Sequence, residues 1–191
     1  MSNAVSVLNG ASYSGLAEVK DAGLKGMITL RGDITSAKLA EAVKTVTGCA
    51  VPEVLKATTE GDTTVTWMAP DELLVVTGYE GVEAKVEALN GELKGEHALV
   101  VNVSDARAYF TVTGAAAREV LAKLAPIDLS PAKFLPGDFR RTRLAQAAGA
   151  FWLDQSESFH IVCFRSVGDY MFNLLKVAAD PDSSVGVYAT E

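Results

Sequence analysis

Strand-like and helix-like hydrophobic patterns alternate through the first half of the chain. Short segments in which apolar and polar residues alternate predict strands, and apolar residues spaced three or four apart predict helices. The predicted elements are a strand at 27–31, a helix at 36–46, strands at 64–68 and 72–76 around the turn Ala69-Pro70-Asp71, a helix at 80–93, and an apolar run at 98–103 that suits a central strand. This order, βαββαβ, is the one found in ferredoxin-like folds.

The second half predicts a similar order of elements. They are a strand at 107–113, a helix at 115–124, a proline-containing connection at 127–136, strands at 139–147, 150–153 and 159–164, and a helix at 167–178. Gly32 and Gly114, which end matching strands, are 82 positions apart, and Trp67 and Trp152 are 85 apart. Because the spacing is nearly constant, the pattern indicates an internal duplication.

The sequence therefore predicts an α+β protein built from two ferredoxin-like βαββαβ-type repeats packed together. The predicted divisions are an N-terminal arm at 1–25, rich in Ser, Gly and Asn, a first repeat at 26–104, a second repeat at 105–179, and a flexible tail at 180–191.

Composition and charge narrow the functional classes. The 191 residues are 49% hydrophobic and 21% charged, which is ordinary for a globular protein, and the net charge is −7. An acidic chain is a poor nucleic-acid binder, because phosphates require a basic face. The pattern contains neither an apolar run long enough to span a membrane nor an export signal, and its two cysteines form no metal or redox motif, so we expect a cytoplasmic protein.

Motifs for catalysis are scarce. The two histidines, His97 and His160, are the available bases for a Ser or Cys nucleophile, and His160 is better explained as a wall residue of a half-buried strand. The acidic pairs Asp71-Glu72 and Asp154/Glu157 fall in predicted hairpin turns, where carboxylates usually serve turn geometry and solubility. We therefore predict no catalytic, cofactor-binding or metal-binding residue in this chain.

One cluster stands apart from this pattern. Arg140, Arg141 and Arg143 place three guanidinium groups on a predicted strand of an acidic chain, with Arg141 and Arg143 on one face and Arg140 on the other. They could contact carboxylates of a partner or an anion, or they could be the charged edge strand that prevents aggregation. The sequence leaves both interpretations open.

Long blocks of the sequence resemble the gamma subunit of bacterial heterotetrameric sarcosine oxidase. They are GLKGMITLRGD from Gly23, WMAPDELLVV from Trp67, HALVVNVSDARAYFTVTG from His97, AREVLAKLAPIDL from Ala117, PGDFRRTRLAQAAGAFW from Pro136 and FHIVCFRSVGDYMFNLL from Phe159. The resemblance covers nearly the whole chain apart from the arm and the tail.

This resemblance implies membership of a larger complex. The family's holoenzyme oxidatively demethylates sarcosine to glycine, passes electrons through flavins to oxygen to give hydrogen peroxide, and can deliver the one-carbon unit to tetrahydrofolate. It implies alpha, beta and delta subunits as partners. FAD, covalently held FMN, NAD and tetrahydrofolate are then expected in the alpha and beta subunits and zinc in the delta subunit, with none bound by this chain alone.

The implied fold is similar to the folate-binding domain of aminomethyltransferase, the T protein of glycine cleavage. That family uses a carboxylate on a strand after a Gly-rich turn, whereas the comparable stretch here, Gly149-Ala150-Phe151-Trp152-Leu153, is apolar until Asp154. An apolar side chain cannot hold a proton for catalysis. The leading hypothesis is therefore a non-catalytic subunit; the alternatives are a stand-alone folate-binding or aminomethyltransferase-like protein and an independent self-associating protein.

Overall fold

The computed structural model describes residues 4–188 and divides the chain into two compact units. The central unit is Lys25–Ser104, and the terminal unit joins the residues before Lys25 to those from Asp105 onward. The strands are β1 (Ser12–Ser14), β2 (Glu18–Asp21), β3 (Gly26–Arg31), β4 (Ala57–Glu60), β5 (Thr63–Ala69), β6 (Glu72–Thr77), β7 (Leu99–Asn102), β8 (Arg107–Thr113), β9 (Phe139–Leu144), β10 (Ala147–Leu153) and β11 (Phe159–Phe164). The helices are α1 (Ala37–Thr47), α2 (Val82–Glu92), α3 (Ala117–Ala122) and α4 (Gly168–Ala178).

The central unit is an antiparallel sheet in the order β4-β5-β6-β3-β7, with α1 and α2 packed on it. Gly48 caps the C-terminus of helix α1. Its positive φ of 78° allows its N–H to donate to the Lys44 carbonyl. The apolar residues of β3, β6 and both helices share one core, made of Ile28, Leu30, Leu39, Val43, Val65, Leu73, Val75, Leu89 and their neighbours.

The terminal unit has the same strand arrangement with one strand more. Its antiparallel sheet runs β1-β2-β8-β11-β10-β9, so β8, β11, β10 and β9 correspond to β3, β6, β5 and β4. Aromatic residues fill its core, in which the ring centroids of Phe134, Phe151 and Phe159 lie 5.6–6.0 Å apart. The prediction of an α+β protein built from two similar repeats is confirmed, and each repeat forms one antiparallel sheet.

The prediction of an N-terminal arm at 1–25 is wrong for residues 4–25, and its residues 1–3 lie outside the described residues. Strand β2 takes the place beside β8 that β7 takes beside β3, and Val19 of β2 and the preceding Ala17 are buried in the terminal core. The buried Asp21 carboxylate anchors the preceding segment, since it accepts the Ser6 hydroxyl at 2.6 Å and the Leu8 N–H at 2.9 Å. Burial alternates over only the four residues of β2, and so short a sequence pattern does not distinguish a strand from a loop.

Three strand predictions also need correction. Strand β4 lies between the predicted helix at 36–46 and the predicted strand at 64–68, and it was missed because its Thr-rich sequence lacks an apolar alternation. The predicted strand at 139–147 breaks at Ala145, where φ is 50°, and the chain then reverses into β10. The apolar run at 98–103 is a short strand, β7, at the edge of its sheet and not at its centre.

The tail predicted as flexible at 180–191 makes defined contacts as far as it is described. Residues 181–183 form a 3₁₀ turn, and the N–H groups of Val185 and Gly186 donate to the Glu119 carboxylate at 2.8 and 2.9 Å. Residues 189–191 of that prediction lie outside the described residues. Among residues 4–188, every helix is too short or too polar to cross a bilayer.

Candidate functional site

The predicted arginine cluster lies on β9, the last strand of the terminal sheet. Arg141 and Arg143 pair with Ala150 and Ala148 of β10, and both arginines are exposed. This position gives a pair of cations at an exposed sheet edge.

Arg140 points away from Arg141 and Arg143 and makes contacts within the terminal unit. Its guanidinium carbon lies 5.4 Å from the centre of the Phe134 ring, and its Nη1 donates to the Phe139 carbonyl at 2.7 Å. Alternation along the strand explains the separation, because neighbouring side chains leave a strand on opposite faces. The structure therefore brings together Arg141 and Arg143 and separates Arg140 from them.

A second cluster joins three titratable side chains from β8, β11 and the turn between β10 and β11. Nδ1 of His160 lies 2.7 Å from the Tyr109 hydroxyl, and Nε2 of His160 lies 2.8 Å from Oδ2 of Asp154. The Trp152 ring stacks on the imidazole with centroids 5.2 Å apart and planes 16° apart. We call Tyr109, Trp152, His160 and Asp154 the histidine network.

Protonation of the histidine network follows from its environment. Burial raises the pKa of Asp154, but the hydrogen bonds from His160, Ser158 and Ser156 outweigh it and leave the pKa below its ordinary value. Burial, and then the Asp154 charge, raise the pKa of Tyr109. An ionised Asp154 accepts from Nε2–H of His160, and the Tyr109 hydroxyl lies within hydrogen-bonding distance of Nδ1 of His160.

Both ring nitrogens of His160 and both carboxylate oxygens of Asp154 form hydrogen bonds within the chain. The other Asp154 oxygen, Oδ1, accepts the N–H groups of Ser156 and Ser158, both at 2.8 Å. Residues 149–153, the stretch compared above with the T-protein family, are all buried within β10 and carry no carboxylate. The absence of an acid role there stays a prediction.

The cysteines lie away from this network. Cys163 is in the terminal core, on the opposite face of β11 from His160, and burial raises the pKa of its thiol to about 12. Cys49 is buried in the core of the central unit, and burial raises its thiol pKa too. Residues 4–188 contain no group of His, Cys, Asp and Glu arranged to hold a metal ion.

The central unit has an open cleft of about 700 Å³ where β3 ends and β7 begins. Its lining includes Arg31, Asp33, Pro70, Asp71, His97 and Leu99. Arg31 is already engaged, because its guanidinium lies 3.3 Å from Glu72 and 3.8 Å from Asp71. The lining thus combines apolar residues with two carboxylates, one guanidinium group and one imidazole.

Sequence reasoning placed His160 on a half-buried strand and did not find its partners. Tyr109 is 51 positions away, so only the register of β8 against β11 brings the two rings together. The stacked Trp152 is 2% exposed, whereas Trp67, which matches it in the repeat spacing of the sequence, is half-buried. The sequence pattern did not indicate the cleft, because the cleft forms only where the ends of three strands meet.

Comparison with known proteins gives the chain's relatives. Residues 31–181 match the sarcosine oxidase, gamma subunit family. The sarcosine oxidase subunit gamma of Corynebacterium sp. (strain P-1) is 33% identical over 150 residues, which are 77% of this chain and 70% of that protein. That of Arthrobacter sp. is 33% identical over 148 residues, again 77% of this chain and 70% of the relative.

Solved structures agree with the sequence relatives. The heterotetrameric sarcosine oxidase from Corynebacterium sp. U-96, in complex with pyrrole 2-carboxylate, matches with a TM-score of 0.79 and 26% identity, covering 92% of this chain and 91% of that chain. The glycine cleavage system aminomethyltransferase T from Bartonella henselae matches with a TM-score of 0.58 and 14% identity over 79% of this chain and 43% of that one, which shows a shared fold. The chain belongs to the sarcosine oxidase gamma subunit family.

Proposed function

We propose that this chain is a non-catalytic subunit of a heterotetrameric sarcosine oxidase. The observation that carries the proposal is the occupancy of the histidine network: both ring nitrogens of His160 and both oxygens of Asp154 are bonded within the chain. Two of the network's four members, Tyr109 and Trp152, are 6% and 2% exposed, which leaves little of the network open to a substrate. The chain instead contributes surface and stabilises the arrangement of its neighbours.

The complex would oxidatively demethylate sarcosine to glycine and pass the one-carbon unit to tetrahydrofolate. Its partners would be alpha, beta and delta subunits in the cytoplasm. FAD, FMN, NAD and tetrahydrofolate would be held by those other subunits, so the electron and proton transfers would take place outside this chain.

Arg141 and Arg143 are proposed contacts for carboxylates of a partner subunit. Both are exposed on a strand at the end of a sheet, and guanidinium groups bind carboxylates through paired hydrogen bonds. An acidic chain with a net charge of −7 gains from a local cationic patch when it docks on an acidic surface.

Purification of the complex with and without this chain tests the proposal. We expect the preparation that lacks the chain to lose flavin content and sarcosine turnover, because the flavin-bearing subunits lose a contact that stabilises them. Full flavin content and full turnover without the chain would contradict the proposal.

The alternative of a stand-alone folate-binding or aminomethyltransferase-like protein is tested separately. Titration of the isolated chain with tetrahydrofolate should give no stoichiometric binding. Tight binding at one ligand per chain would favour the alternative.

A further inference from the structure

The outer edge of β7 is the feature that the fold leaves incomplete. Leu99 and Val101 are 52% and 39% exposed, while Val100 between them is buried in the central core. An apolar residue at three successive positions is the pattern of a strand that is covered on both faces. In the structure this strand is the last of its sheet.

The backbone of β7 also has groups that face outward. The Val103 N–H donates to the Met27 carbonyl of β3 at 2.8 Å, so alternation directs Val101 and Leu99 toward β3 and Val100 and Asn102 away from it. No strand within residues 4–188 pairs with that outer side. The N–H and C=O groups of Val100 and Asn102 are thus available to another strand.

In the terminal unit, the strand that corresponds to β7 has a further strand paired with its outer edge. Strand β2 lies beside β8 as β7 lies beside β3, and β2 is covered by one more antiparallel strand, the three-residue β1. There Tyr13 of β1 pairs with Val19 and packs against the terminal core. The fold therefore accommodates an additional short strand at this position, and the central unit lacks it.

Charge indicates the chemistry of the missing strand. Glu83 of α2 accepts a hydrogen bond from Asn102 Nδ2 at 2.6 Å, which places Glu83 beside β7, and Glu87 follows one helical turn later. At the other end of β7, Asp33, Asp71 and Arg31 line the cleft next to Leu99, and because Arg31 pairs with Asp71 and Glu72, the charged groups there still sum to a negative charge. An edge flanked by carboxylates at both ends suits a segment with basic residues around an apolar centre.

We propose that the outer edge of β7 binds an extended segment of a partner subunit, which adds a sixth antiparallel strand to the central sheet. The segment pairs its backbone with Val100 and Asn102, covers Leu99 and Val101 with apolar side chains, and places Lys or Arg near the flanking carboxylates. This inference rests on the proposed function, because it needs the chain to be a subunit of a complex.

Hydrogen exchange of the isolated chain and of the assembled complex tests the pairing. We expect the Val100 and Asn102 amides to exchange at least about tenfold more slowly in the complex, since strand pairing protects outward-facing amides. Unchanged exchange in a complex that does contain the chain would overturn this inference and leave the proposed function intact. A wild-type chain that is never retained by the other subunits would overturn both.

A charge-matched pair of variants tests the surface. L99K/V101K should reduce retention of the chain by its partners at least about tenfold, because lysines on an edge strand oppose pairing. V54K/V177K adds the same charge at side chains that are 65% and 70% exposed, and it should leave retention unchanged. Equal retention of both variants would overturn the inference, as would an isolated chain that dimerises with these amides already protected.

Discussion

At the scale of single residues, Asp154 holds the turn between β10 and β11 and links it to His160. Its carboxylate accepts hydrogen bonds from Ser156, Ser158 and His160, so Asp154→Ala leaves these donors without their acceptor. We expect the free energy of unfolding at pH 7 to fall by about 1–3 kcal/mol, measured by urea denaturation. The exposed Asp128, which accepts the Ser130 N–H at 2.9 Å, is the control, and Asp128→Ala should change the free energy of unfolding much less than Asp154→Ala does.

The pH dependence of the same variant has a defined sign. The pKa of Asp154 is lowered in the folded protein, so its stabilisation is present above the unfolded pKa and is lost as the pH falls through the folded value. The stability difference between wild type and Asp154→Ala should therefore narrow as the pH drops below about 4. A difference that is unchanged from pH 7 to pH 3 would contradict the assignment of an ionised Asp154.

At the scale of elements, β2 belongs to the terminal core although it lies far from that core in sequence. Val19→Ala removes two methyl groups from a fully buried position, and we expect it to lower the free energy of unfolding by about 1–3 kcal/mol. Val177→Ala, at a side chain that is 70% exposed, should be close to neutral. If Val19→Ala were neutral in chemical denaturation, the segment would be the surface arm that its composition suggests.

The two exposed arginines of β9 allow a test of their proposed docking role. R141A/R143A should weaken retention of the chain in the complex about tenfold or more, because charge pairs at an interface are lost. K44A/K133A removes the same charge from exposed positions outside β9 and should have little effect on retention. Equal retention of all three proteins in a pull-down would leave the arginines as edge-strand charges.

Local patterns identified the elements well where a strand or helix carried its own periodicity. The strands at 107–113 and 159–164 coincide with β8 and β11, and α1 and α4 begin within one residue of their predicted starts. Strands β2 and β4 were missed because their stability comes from pairing with β8 and β5, which a local pattern does not encode. The edge position of β7 was missed for a related reason: apolar sequence predicts burial, and its exposed side chains are left uncovered by residues 4–188.

The candidate sites also differ in whether a local sequence pattern could locate them. Arg140, Arg141 and Arg143 could be located from sequence because strand alternation alone separates them. The histidine network could not, since Tyr109, Asp154 and His160 meet only through the registers of β8, β10 and β11. The resemblance to a family was carried by long sequence blocks, and it was confirmed by the match over residues 31–181.

At the scale of the whole molecule, the proposed role of this chain is to contribute surface, and the proposed place of the chemistry is its partner subunits. Two α+β units present exposed sheet edges with distinct character, a cationic one at β9 and an apolar, acid-flanked one at β7. Strand edges and charged patches are means of association and not of bond breaking. A protein of this kind should change what its partners do without acting alone.

The most direct measurement is sarcosine-dependent hydrogen peroxide production while this chain is added back to a complex purified without it. The account predicts that turnover rises with added chain and saturates at one chain per complex, while the chain alone produces no peroxide. Turnover that does not respond to the chain, or peroxide production by the chain alone, would contradict it.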